Sequence, residues 1–531
     1  MHQVCFDQKN VVTVEENTTI LEAAQKIGIE IPTLCNSVEH NCSMTSCQVC
    51  LVEVNHRIVP ACATKVFDGM KITTDSPEIR ELRRTSLELL LSDHVGDCHA
   101  PCQSACPASL DVPQMLRAIE KGDFDKAIGI IKQRIAFPAV LGRICHKPCE
   151  KVCRRRLWDE PVAICQLKRF TAENDLGNHL AFLPEQCDAT GKKVAIIGAG
   201  PSGLSTAYYL TVAGHKVDLF EKNGQPGGQM LLFPEELLPP EVLEAEVNHV
   251  LSFPIYFLRS RSIPLNRDSL DELTKNYDAV VLATGKISEQ DIQDTGLENC
   301  GDYLKVTPGT YSTSRIKVFA TGSVIRKSPS CIKSIVDGKK TSEVIDGFLR
   351  RGIIEPCSTL WSIHVPKPDR TELAQYNVEK SAGLSLVEPE IESGNDYSFP
   401  EAMQQASRCF HCDCDGRAKC RLRKYAREYE VKINRYHPTV RRPISISRSG
   451  NLVFESEKCI KCGLCVRITQ NIPGITGLTF VGRGFDVHIS VPFDIGLESA
   501  LAGAAKKCVD ACPTCALSFQ ETKLVTSESD C

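Results

Sequence analysis

The sequence predicts a multidomain protein in which α/β and α+β segments follow one another. The chain has 531 residues, which is too long for a single hydrophobic core. It contains 28 cysteines, most of them in tight groups with gaps of two or three residues. Residues 192–222 read as a buried strand, a glycine-rich turn, a helix and a second strand. Together these observations predict several cysteine-rich segments around one nucleotide-binding α/β domain.

Composition and charge exclude several functional classes. The formal net charge of -4 gives no electrostatic reason to expect nucleic acid or an anionic membrane as a partner. No apolar run approaches the roughly 20 residues that a membrane span requires. The first residues lack the basic and apolar regions of a signal peptide, so the cytoplasm is the expected location. No catalytic residue is predicted, because no segment offers a nucleophile–base pair or a pair of carboxylates.

The grouping of the cysteines predicts metal centres. Scattered cysteines would indicate disulfides, which are the weaker alternative here. Gaps of two or three residues instead let several thiolates converge on one small, soft centre. Iron–sulfur clusters or zinc ions are therefore expected.

Residues 1–75 are the first predicted domain. Cys47 and Cys50 lie on a loop before the strand-like segment CLVEV, and Cys35 and Cys62 come from flanking loops. This arrangement suits one 2Fe–2S cluster, with structural zinc as the alternative. The segment resembles the N-terminal ferredoxin domain of the large iron–sulfur subunit of complex I and of iron-only hydrogenases, which implies a β-grasp fold. Cys42 also fits the plant-type spacing with Cys47 and Cys50, so it is an alternative to Cys35.

Residues 76–187 are predicted to form a helical domain in which two cysteine groups flank a helical segment. The stretch resembles the N-terminal domain of the small subunit of NADPH-dependent glutamate synthase and of dihydropyrimidine dehydrogenase. In that family such cysteines hold two 4Fe–4S clusters, with ligands exchanged between the two groups. The ligands that this resemblance implies are Cys98, Cys102, Cys106, Cys145, Cys149 and Cys153.

Six cysteines leave two of the eight ligand positions of two such clusters unassigned. His94 precedes Cys98 as the histidine ligand does in complex I, and it is the first candidate; a solvated loop histidine is the alternative. In the relatives a glutamate or glutamine supplies the other ligand. The aligned residue here is Lys168, which cannot ligate while protonated, so Cys165 or Gln166 is the expected substitute.

Residues 188–355 are predicted to be a Rossmann-like domain. Gly198 permits the tight turn, Gly200 lets the backbone approach a pyrophosphate, and Gly203 lets helix and strand pack closely. The helix N-terminus offers N–H groups to the phosphates. Glu221, at the end of the second strand, can accept hydrogen bonds from the ribose hydroxyls of the adenosine.

The glycine pattern does not separate FAD from NAD, but two later segments favour FAD. Residues 227–247 and 317–349 resemble the flavin half of glutamate synthase small subunits. Ser323 stands where that family usually has aspartate, and it can still hydrogen-bond the ribityl chain. The predicted cofactor contacts are Gly198, Gly200, Pro201, Ser202, Gly203, Glu221, Gly228, Gly285, Gly322 and Ser323. A flavin fold that is kept only as a scaffold is the alternative.

The FAD domain is predicted to lack the nicotinamide-binding insert of flavoprotein reductases. The phrases VVLATG and KVFATG, which end at Gly285 and Gly322, each predict a buried strand that runs into a turn. In flavoprotein reductases a nicotinamide-binding domain normally lies between two such strands. The residues between these two glycines are too few for a domain and contain no second glycine fingerprint.

Residues 356–440 are predicted to be a linker with a cysteine-rich metal motif. The motif consists of Cys409, Cys412, Cys414 and Cys420. Four thiolates this close in sequence imply a metal. A 4Fe–4S cluster is expected, and zinc is the alternative.

Residues 441–531 resemble a bacterial-type two-cluster ferredoxin that has lost half of its ligands. In the parent pattern the last cysteine of each run serves the cluster of the other run. That exchange leaves one complete ligand set, which consists of Cys459, Cys462, Cys465 and Cys512. The other cluster is not expected, because Thr469, Ala502 and Ala505 occupy its positions. Cys508 and Cys515 are left over as buried thiols.

These resemblances imply an iron–sulfur flavoprotein subunit of a soluble anaerobic oxidoreductase complex. Its expected cofactors are FAD, one 2Fe–2S cluster and three to four 4Fe–4S clusters. It is expected to relay electrons between an NADH-oxidising flavin subunit and a second redox enzyme, as in electron-bifurcating hydrogenases, formate dehydrogenases and transhydrogenases; ferredoxin is a further candidate partner. The alternatives are a cluster-wiring scaffold with an empty flavin fold and a self-sufficient NAD(P)H oxidoreductase.

Overall fold

The computed structural model describes residues 1–519 apart from positions 38, 40, 41, 178–180, 328, 329, 358, 359, 366, 367, 378–396, 415 and 437–442. The chain divides into two compact units. The first unit consists of Met1–His99, Trp361–Val378 and Cys412–Cys531, and the second of Ala100–Leu360 and Glu379–His411. Residues 378–396 of the predicted linker and 520–531 of the predicted ferredoxin-like domain lie outside the described residues.

The N-terminal part of the first unit is a five-stranded mixed sheet that packs on one helix. Its elements are β1 (His2–Phe6), β2 (Asn10–Val14), α1 (Ile20–Lys26), β3 (Asn36–Ser37), β4 (Cys42–Ser43), β5 (Leu51–Val54), β6 (Arg57–Pro60), β7 (Lys71–Thr73) and α2 (Pro77–Asp93). The sheet order is β2-β1-β7-β5-β6, and only β1 and β7 run parallel. Thr19 and Glu22 form a capping box that starts α1. Buried residues of α1 and of the sheet, such as Leu21, Phe6 and Val52, share one core.

The second unit begins with a group of short helices. They are α3 (Pro101–Ala105), α4 (Val112–Glu120), α5 (Phe124–Lys132), α6 (Pro138–Ile144), α7 (Pro148–Lys151) and α8 (Ile164–Gly177). The side chains of Asp111 and Asp123 cap α4 and α5. Prolines stand in the first turns of α3, α4, α6 and α7, where a missing N–H costs no hydrogen bond. The loops between these helices carry Cys106, Cys145 and Cys153, whereas Cys102, Cys149 and Cys165 lie within α3, α7 and α8.

A five-stranded parallel sheet follows in the second unit. Its elements are β8 (Lys193–Ile197), α9 (Pro201–Val212), β9 (Lys216–Phe220), α10 (Pro240–Leu251), β10 (Ile255–Leu258), α11 (Arg267–Asn276), β11 (Ala279–Leu282), α12 (Glu289–Thr295), β12 (Val318–Ala320) and α13 (Cys331–Arg351). The order is β10-β9-β8-β11-β12, so the chain reverses direction across the sheet between β8 and β11. Ligands of such sheets bind at the carboxyl ends of the strands beside this reversal.

The connection from β11 to β12 is short. It contains the helix α12 and an isolated bridge between Asn299 and Leu304. Its apolar side chains, including Ile292 and Leu304, pack into the core of the sheet with Val318. The connection thus completes the parallel sheet and does not form a domain of its own.

The remaining elements belong mainly to the C-terminal part of the first unit. They are α14 (Arg370–Asn377), α15 (Phe399–Ser407, in the second unit), α16 (Arg421–Glu428), β13 (Ile446–Ser449), β14 (Leu452–Glu455), α17 (Leu464–Gln470), β15 (Thr479–Val481), β16 (His488–Ser490), α18 (Leu497–Leu501), α19 (Ala505–Ala511) and β17 (Leu517–Phe519). β14 pairs antiparallel with β13 and β17, and β15 pairs with β16. One hydrophobic core contains residues of this part and of the N-terminal part, among them Leu34, Leu87, Leu464 and Leu517.

Candidate functional site

Four thiols of the N-terminal part converge as the sequence predicts. Cys35, Cys47, Cys50 and Cys62 are each at most 4% exposed. The thiol of Cys35 hydrogen-bonds to those of Cys47 and Cys62, and Cys50 hydrogen-bonds to Cys62. These hydrogen bonds lower the pKa of Cys35, and the bond from Cys62 lowers the pKa of Cys50 to about 7. The same hydrogen bonds raise the pKa values of Cys47 and Cys62. Cys35 and Cys50 are therefore the two thiols of the group that favour the thiolate, the form that binds metal.

The loop between β4 and β5 wraps around this group. Thr45 and Gln48 both have left-handed backbone conformations, with φ of 55° and 52°. Cys42, the alternative to Cys35, lies in β4, where burial raises the pKa of its thiol and Arg467 and Cys35 act on it only through their charges. The geometry therefore places Cys35, and not Cys42, in the hydrogen-bonded set.

A second group of four thiols lines one pocket in the helical part of the second unit. The residues that line this pocket include Cys106, Cys145, Cys149 and Cys165, together with apolar side chains of α4, α6 and α8. The thiols of Cys145 and Cys165 hydrogen-bond to each other. Of the two substitutes that the sequence left open, the structure brings Cys165 to the pocket as a fourth thiol.

Lys168 lines the same pocket and is 5% exposed. Burial works against its charge, but the thiols of Cys165 and Cys145 outweigh it and raise the pKa of Lys168. The side chain therefore stays an ammonium ion at neutral pH and cannot ligate. It supplies a positive charge beside the four thiols instead.

The role of Cys165 can be tested by substitution. Cys165→Ala is expected to remove one 4Fe–4S cluster, or about four irons per chain, because it deletes one of the four thiols around this pocket. Iron and sulfide analysis of anaerobically purified protein measures the loss. Cys357→Ala, which changes a thiol of the same unit outside the groups described here, is the matched control and should retain all iron. Equal iron in the Cys165 variant and the wild type would contradict the assignment.

The other cysteines of the two sequence groups separate between the units. The second unit contains Cys102, Cys153 and Cys409. The thiols of Cys153 and Cys409 interact electrostatically. The backbone N–H of His411 donates to the sulfur of Cys409 at 3.4 Å. Burial raises the pKa of Cys409, but the adjacent His411 imidazole outweighs it, so the net shift is downward.

The boundary between the two units falls within the motif at 409–420. Cys412, Cys414 and Cys420 belong to the first unit, and so does Cys98 of the segment that resembles glutamate synthase. The thiol of Cys98 interacts electrostatically with those of Cys414 and Cys420. Neighbours along one loop can thus belong to different units, so closeness in sequence does not by itself decide which thiols share a centre.

His94 lies in the first unit, close to the loop of Cys459. Its Nδ1 is 2.8 Å from the carbonyl oxygen of Lys458. Burial lowers the pKa of His94 to about 4, so the ring is neutral at physiological pH. With Nδ1 donating to the carbonyl, Nε2 is the ring nitrogen that keeps a lone pair.

The ferredoxin-like segment brings its predicted ligand set together. Cys459, Cys462, Cys465 and Cys512 line one pocket with apolar residues such as Phe454. The loop between the first two adopts the left-handed conformation at Lys461, with φ of 54°. Burial raises the pKa of Cys462.

The positions of the lost ferredoxin cluster serve the fold. The hydroxyl of Thr469 donates to the backbone oxygens of Cys465 and Val466, at 3.0 and 2.9 Å. Cys508 is fully buried and its thiol lies 3.8 Å from the oxygen of Cys465, but it does not line the pocket.

The glycines of the nucleotide fingerprint differ in what surrounds them. A Cβ on Gly198 would lie 2.5 Å from the oxygen of Ala283, and one on Gly203 would lie 1.8 Å from the oxygen of Gly198. A Cβ on Gly200 would meet only the Cα of Gly228, at 4.0 Å. Gly198 and Gly203 thus allow close packing, whereas the space in front of Gly200 is open to a ligand.

The other predicted contacts gather at the same carboxyl edge of the parallel sheet. Ser202, in the first turn of α9, lies against Gly322 after β12, and Gly228 lies against Gly200. Ser323 Oγ is 3.4 Å from Gln229 Oε1. Pro201 occupies the first position of α9, and Gly285, three residues beyond β11, has φ of 75°.

Several polar groups at this edge suit a dinucleotide. The hydroxyls of Thr284 and Thr321 are buried without a hydrogen-bond partner among the described residues. Glu221 accepts the backbone N–H of Ala199 at 2.7 Å and that of Asn223 at 2.9 Å. Each carboxylate oxygen has a second lone pair, so Glu221 can still accept a ribose hydroxyl. The open space at Gly200 and these polar groups fit a bound dinucleotide.

The described residues contain neither a site for a single metal ion nor a membrane-spanning helix. No group of three or more His, Cys, Asp or Glu side chains is arranged to hold a single metal ion in the part of the chain that the structure describes. Thiolates around one zinc ion stand only about 3.8 Å apart, given Zn–S bonds of about 2.3 Å. The thiolates of an iron–sulfur cluster are held further apart by the irons and sulfides. Across the described ranges, no helix combines the length and the apolar character of a membrane-spanning segment.

Four family models match successive parts of the chain. They are described as a 2Fe–2S iron–sulfur cluster binding domain (residues 3–77), dihydropyrimidine dehydrogenase domain II with a 4Fe–4S cluster (92–179), an NAD(P)-binding Rossmann-like domain (196–254) and the ferredoxin-like domain of NADH-quinone oxidoreductase subunit 3 (449–518). These matches confirm the predicted fold class and the resemblances on which it rested.

Curated relatives match about a third of the chain. The β subunit of NADP(+)-dependent formate dehydrogenase of Moorella thermoacetica is 39% identical over 208 residues, which cover 35% of this chain and 29% of the relative. The β subunit of NADPH-Fe(3+) oxidoreductase of Geobacter sulfurreducens is 36% identical over 190 residues, covering 35% and 28%. The small chain of NADPH glutamate synthase of Bacillus subtilis is 30% identical over 237 residues, covering 42% and 48%.

The chain thus spans less than half the length of each of these relatives. All three are oxidoreductase subunits by name, and the matched domains are of iron–sulfur and Rossmann-like types. The matches identify the chain as a modular iron–sulfur protein of the oxidoreductase type, built from 2Fe–2S, 4Fe–4S, Rossmann-like and ferredoxin-like domains.

Proposed function

We propose that the chain is the electron-transfer iron–sulfur flavoprotein subunit of a multi-subunit oxidoreductase. It would carry electrons between a nicotinamide-oxidising flavin subunit and a second redox enzyme. The observation that carries this proposal is the contact between the loops of two thiol groups within the first unit. In addition, the charge of the Cys35 thiolate in the 2Fe–2S group contributes to the raised pKa of Cys462 in the ferredoxin-like group.

Further contacts hold these two groups together. The hydroxyl of Ser46, next to Cys47, is 3.4 Å from the carbonyl oxygen of Cys462. The side chain of Met44 packs against Gly463, where a Cβ would lie 2.8 Å from the methyl carbon of Met44. The loops of both clusters thus belong to one packed body. Electron transfer requires redox centres to lie close together, whereas structural metal sites have no need for contact between their loops.

The dinucleotide edge supports FAD as a further electron carrier. Its residues accommodate a pyrophosphate at Gly200, and buried hydroxyls of Thr284 and Thr321 face no protein partner among the described residues. FAD, when bound, would exchange one or two electrons. The residues of this chain would bind and orient it: the turn before α9 holds the phosphates, and Glu221 receives the ribose.

The partners follow from the short connection between β11 and β12. With α12 as its one helix, this connection offers no second dinucleotide fold. The oxidation of nicotinamide is therefore assigned to another subunit. The names of the similar β subunits, NADP(+)-dependent formate dehydrogenase and NADPH-Fe(3+) oxidoreductase, support complexes that link nicotinamide to a second redox reaction. We extend the proposal to the same class of complexes, including electron-bifurcating ones.

The absence of nicotinamide oxidation by the chain alone is the direct test. Anaerobically purified chain, with its flavin measured by acid extraction, is expected to show no steady bleaching by NADH or NADPH. The turn at 198–203 would hold FAD, and the described residues contain no second dinucleotide turn. Dithionite should still reduce the flavin and the clusters, which serves as the positive control. Adding the co-purifying flavin subunit should restore bleaching by one of the two nucleotides.

Two outcomes would overturn this function. Bleaching by NADH or NADPH without a partner would show a self-sufficient oxidoreductase. A chain that contains no extractable flavin but still passes electrons between its partner subunits would be a cluster-wiring scaffold.

A further inference from the structure

A further set of buried cysteines lies in the first unit outside the two groups described there. Cys98, Cys414, Cys420 and Cys515 come from three separate stretches of the chain, and each is at most 9% exposed. Sequence reasoning placed them in three different roles: a glutamate synthase-type ligand, part of the motif at 409–420, and a left-over thiol. The structure brings them into one neighbourhood.

Cys420 and Cys515 are in direct contact. Their thiols hydrogen-bond to each other. The sulfur of Cys515 lies 3.1 Å from the carbonyl oxygen of Gly416, and the sulfur of Cys420 lies 3.7 Å from that of Pro513. These reciprocal contacts hold the loop before α16 on the loop before β17.

The other two thiols interact electrostatically with this pair. The thiol of Cys414 interacts electrostatically with those of Cys420 and Cys515. The thiol of Cys98 interacts electrostatically with those of Cys420 and Cys414. Its backbone N–H donates to the carbonyl oxygen of Ile363 at 3.4 Å. Three distant stretches of the chain thus contribute thiols to one region of the first unit.

Positive groups surround these thiols. The backbone N–H of Arg423, in the first turn of α16, donates to the sulfur of Cys420 at 3.4 Å. The positive charge of the Arg423 guanidinium favours the thiolate of Cys98. The buried ammonium group of Lys458 favours the thiolate of Cys414 in the same way. Lys458 is in turn paired with Glu455 at 2.5 Å. Four thiolates buried without such cations would be strongly destabilising.

We propose that Cys98, Cys414, Cys420 and Cys515 ligate a 4Fe–4S cluster in the first unit. Four buried soft thiolates are the ligand set of such clusters. A single disulfide between Cys420 and Cys515 would leave Cys98 and Cys414 buried without a function. The site is separate from the ferredoxin-like group, although Cys515 follows Cys512 of that group by only three residues.

The position of the site gives it a role in the relay. Three residues span at most about 10 Å even when fully extended, so the two cluster sites are neighbours. The cluster would therefore accept one electron at a time from the ferredoxin-like cluster, or return one to it. The site itself does not depend on the proposed function, since iron content can be measured without any partner.

The test is a set of serine variants of the full chain, purified anaerobically. Cys98→Ser, Cys420→Ser and Cys515→Ser are each expected to lose about four irons and four sulfides relative to the wild type. Cys508→Ser, which changes a buried cysteine of the same unit outside the site, should lose none. The EPR signal of the reduced 2Fe–2S cluster should persist in all four variants and thereby reports that the first unit has folded.

A second measurement on the wild-type chain does not depend on the folding of variants. Chelation of iron under native conditions, followed by alkylation and mass spectrometry, should expose Cys98, Cys414, Cys420 and Cys515 to the reagent together. Joint exposure supports the site even if a variant misfolds. Unchanged iron in Cys515→Ser or Cys98→Ser would overturn it, and so would loss of zinc in place of iron or recovery of Cys420 and Cys515 as a disulfide.

Discussion

Gly200→Val is expected to abolish flavin binding while the cysteine groups keep their metal. Gly200 has an extended backbone, with φ of -80° and ψ of -175°, which valine adopts without strain. A Cβ there meets only the Cα of Gly228 at 4.0 Å, so the protein itself tolerates a side chain. The side chain instead occupies the space in front of the turn, where the pyrophosphate must lie.

The expected magnitude separates this variant from others at the same edge. Valine adds three carbons, and their overlap with the pyrophosphate costs at least about 1–3 kcal/mol, or at least about 5- to 150-fold in affinity. Ser323→Ala removes one neutral hydrogen bond and should cost only about 0.5–1.5 kcal/mol. Gly198→Ala should instead reduce the stability of the fold, because its Cβ would lie 2.5 Å from the oxygen of Ala283 and φ is 107°.

Acid extraction of flavin, iron analysis and thermal unfolding of the three variants decide the prediction. Gly200→Val should lack flavin, retain iron and unfold near the temperature of flavin-free wild type. It should also stop electron transfer between partner subunits if the flavin is an obligatory carrier. A variant without flavin that transfers electrons at the wild-type rate would place the relay in the clusters alone.

Cys462→Ala should remove one 4Fe–4S cluster, whereas Cys508→Ala should remove none. Cys462 lines the pocket with Cys459, Cys465 and Cys512, so alanine deletes one of four ligands. Cys508 is also buried but lies outside this pocket. Its replacement creates a small cavity and should lower the free energy of unfolding by only about 1–2 kcal/mol.

Iron counts and low-temperature EPR of the two variants measure the difference. The pair is matched because both changes remove a buried sulfur from the same core. Equal loss of iron would mean that the ligand exchange of two-cluster ferredoxins does not apply to this segment. Loss of iron in Cys508→Ala alone would assign the remaining cluster to the other ligand set.

Local patterns in the sequence predicted the features that depend on residues close together in the chain. The glycine spacing at 198–203 predicted the strand, the turn, the helix and the open face of Gly200, because each depends on the backbone of adjacent residues. The set Cys459, Cys462, Cys465 and Cys512 also followed from a repeated local spacing. The short interval between Gly285 and Gly322 predicted the missing nicotinamide insert, since chain length alone limits what a connection can contain.

Only the tertiary structure decided which cysteines from distant segments meet. It brought Cys165 to the pocket of Cys106, Cys145 and Cys149, and it brought Cys515 to Cys420. It also placed Cys409 in one unit and Cys420 in the other, although eleven positions separate them in the sequence. Spacing limits which thiols of a single loop can share a centre, but it carries no information about which loops pack together. That choice is made by the burial of apolar side chains throughout each core, which one sequence without its fold does not reveal.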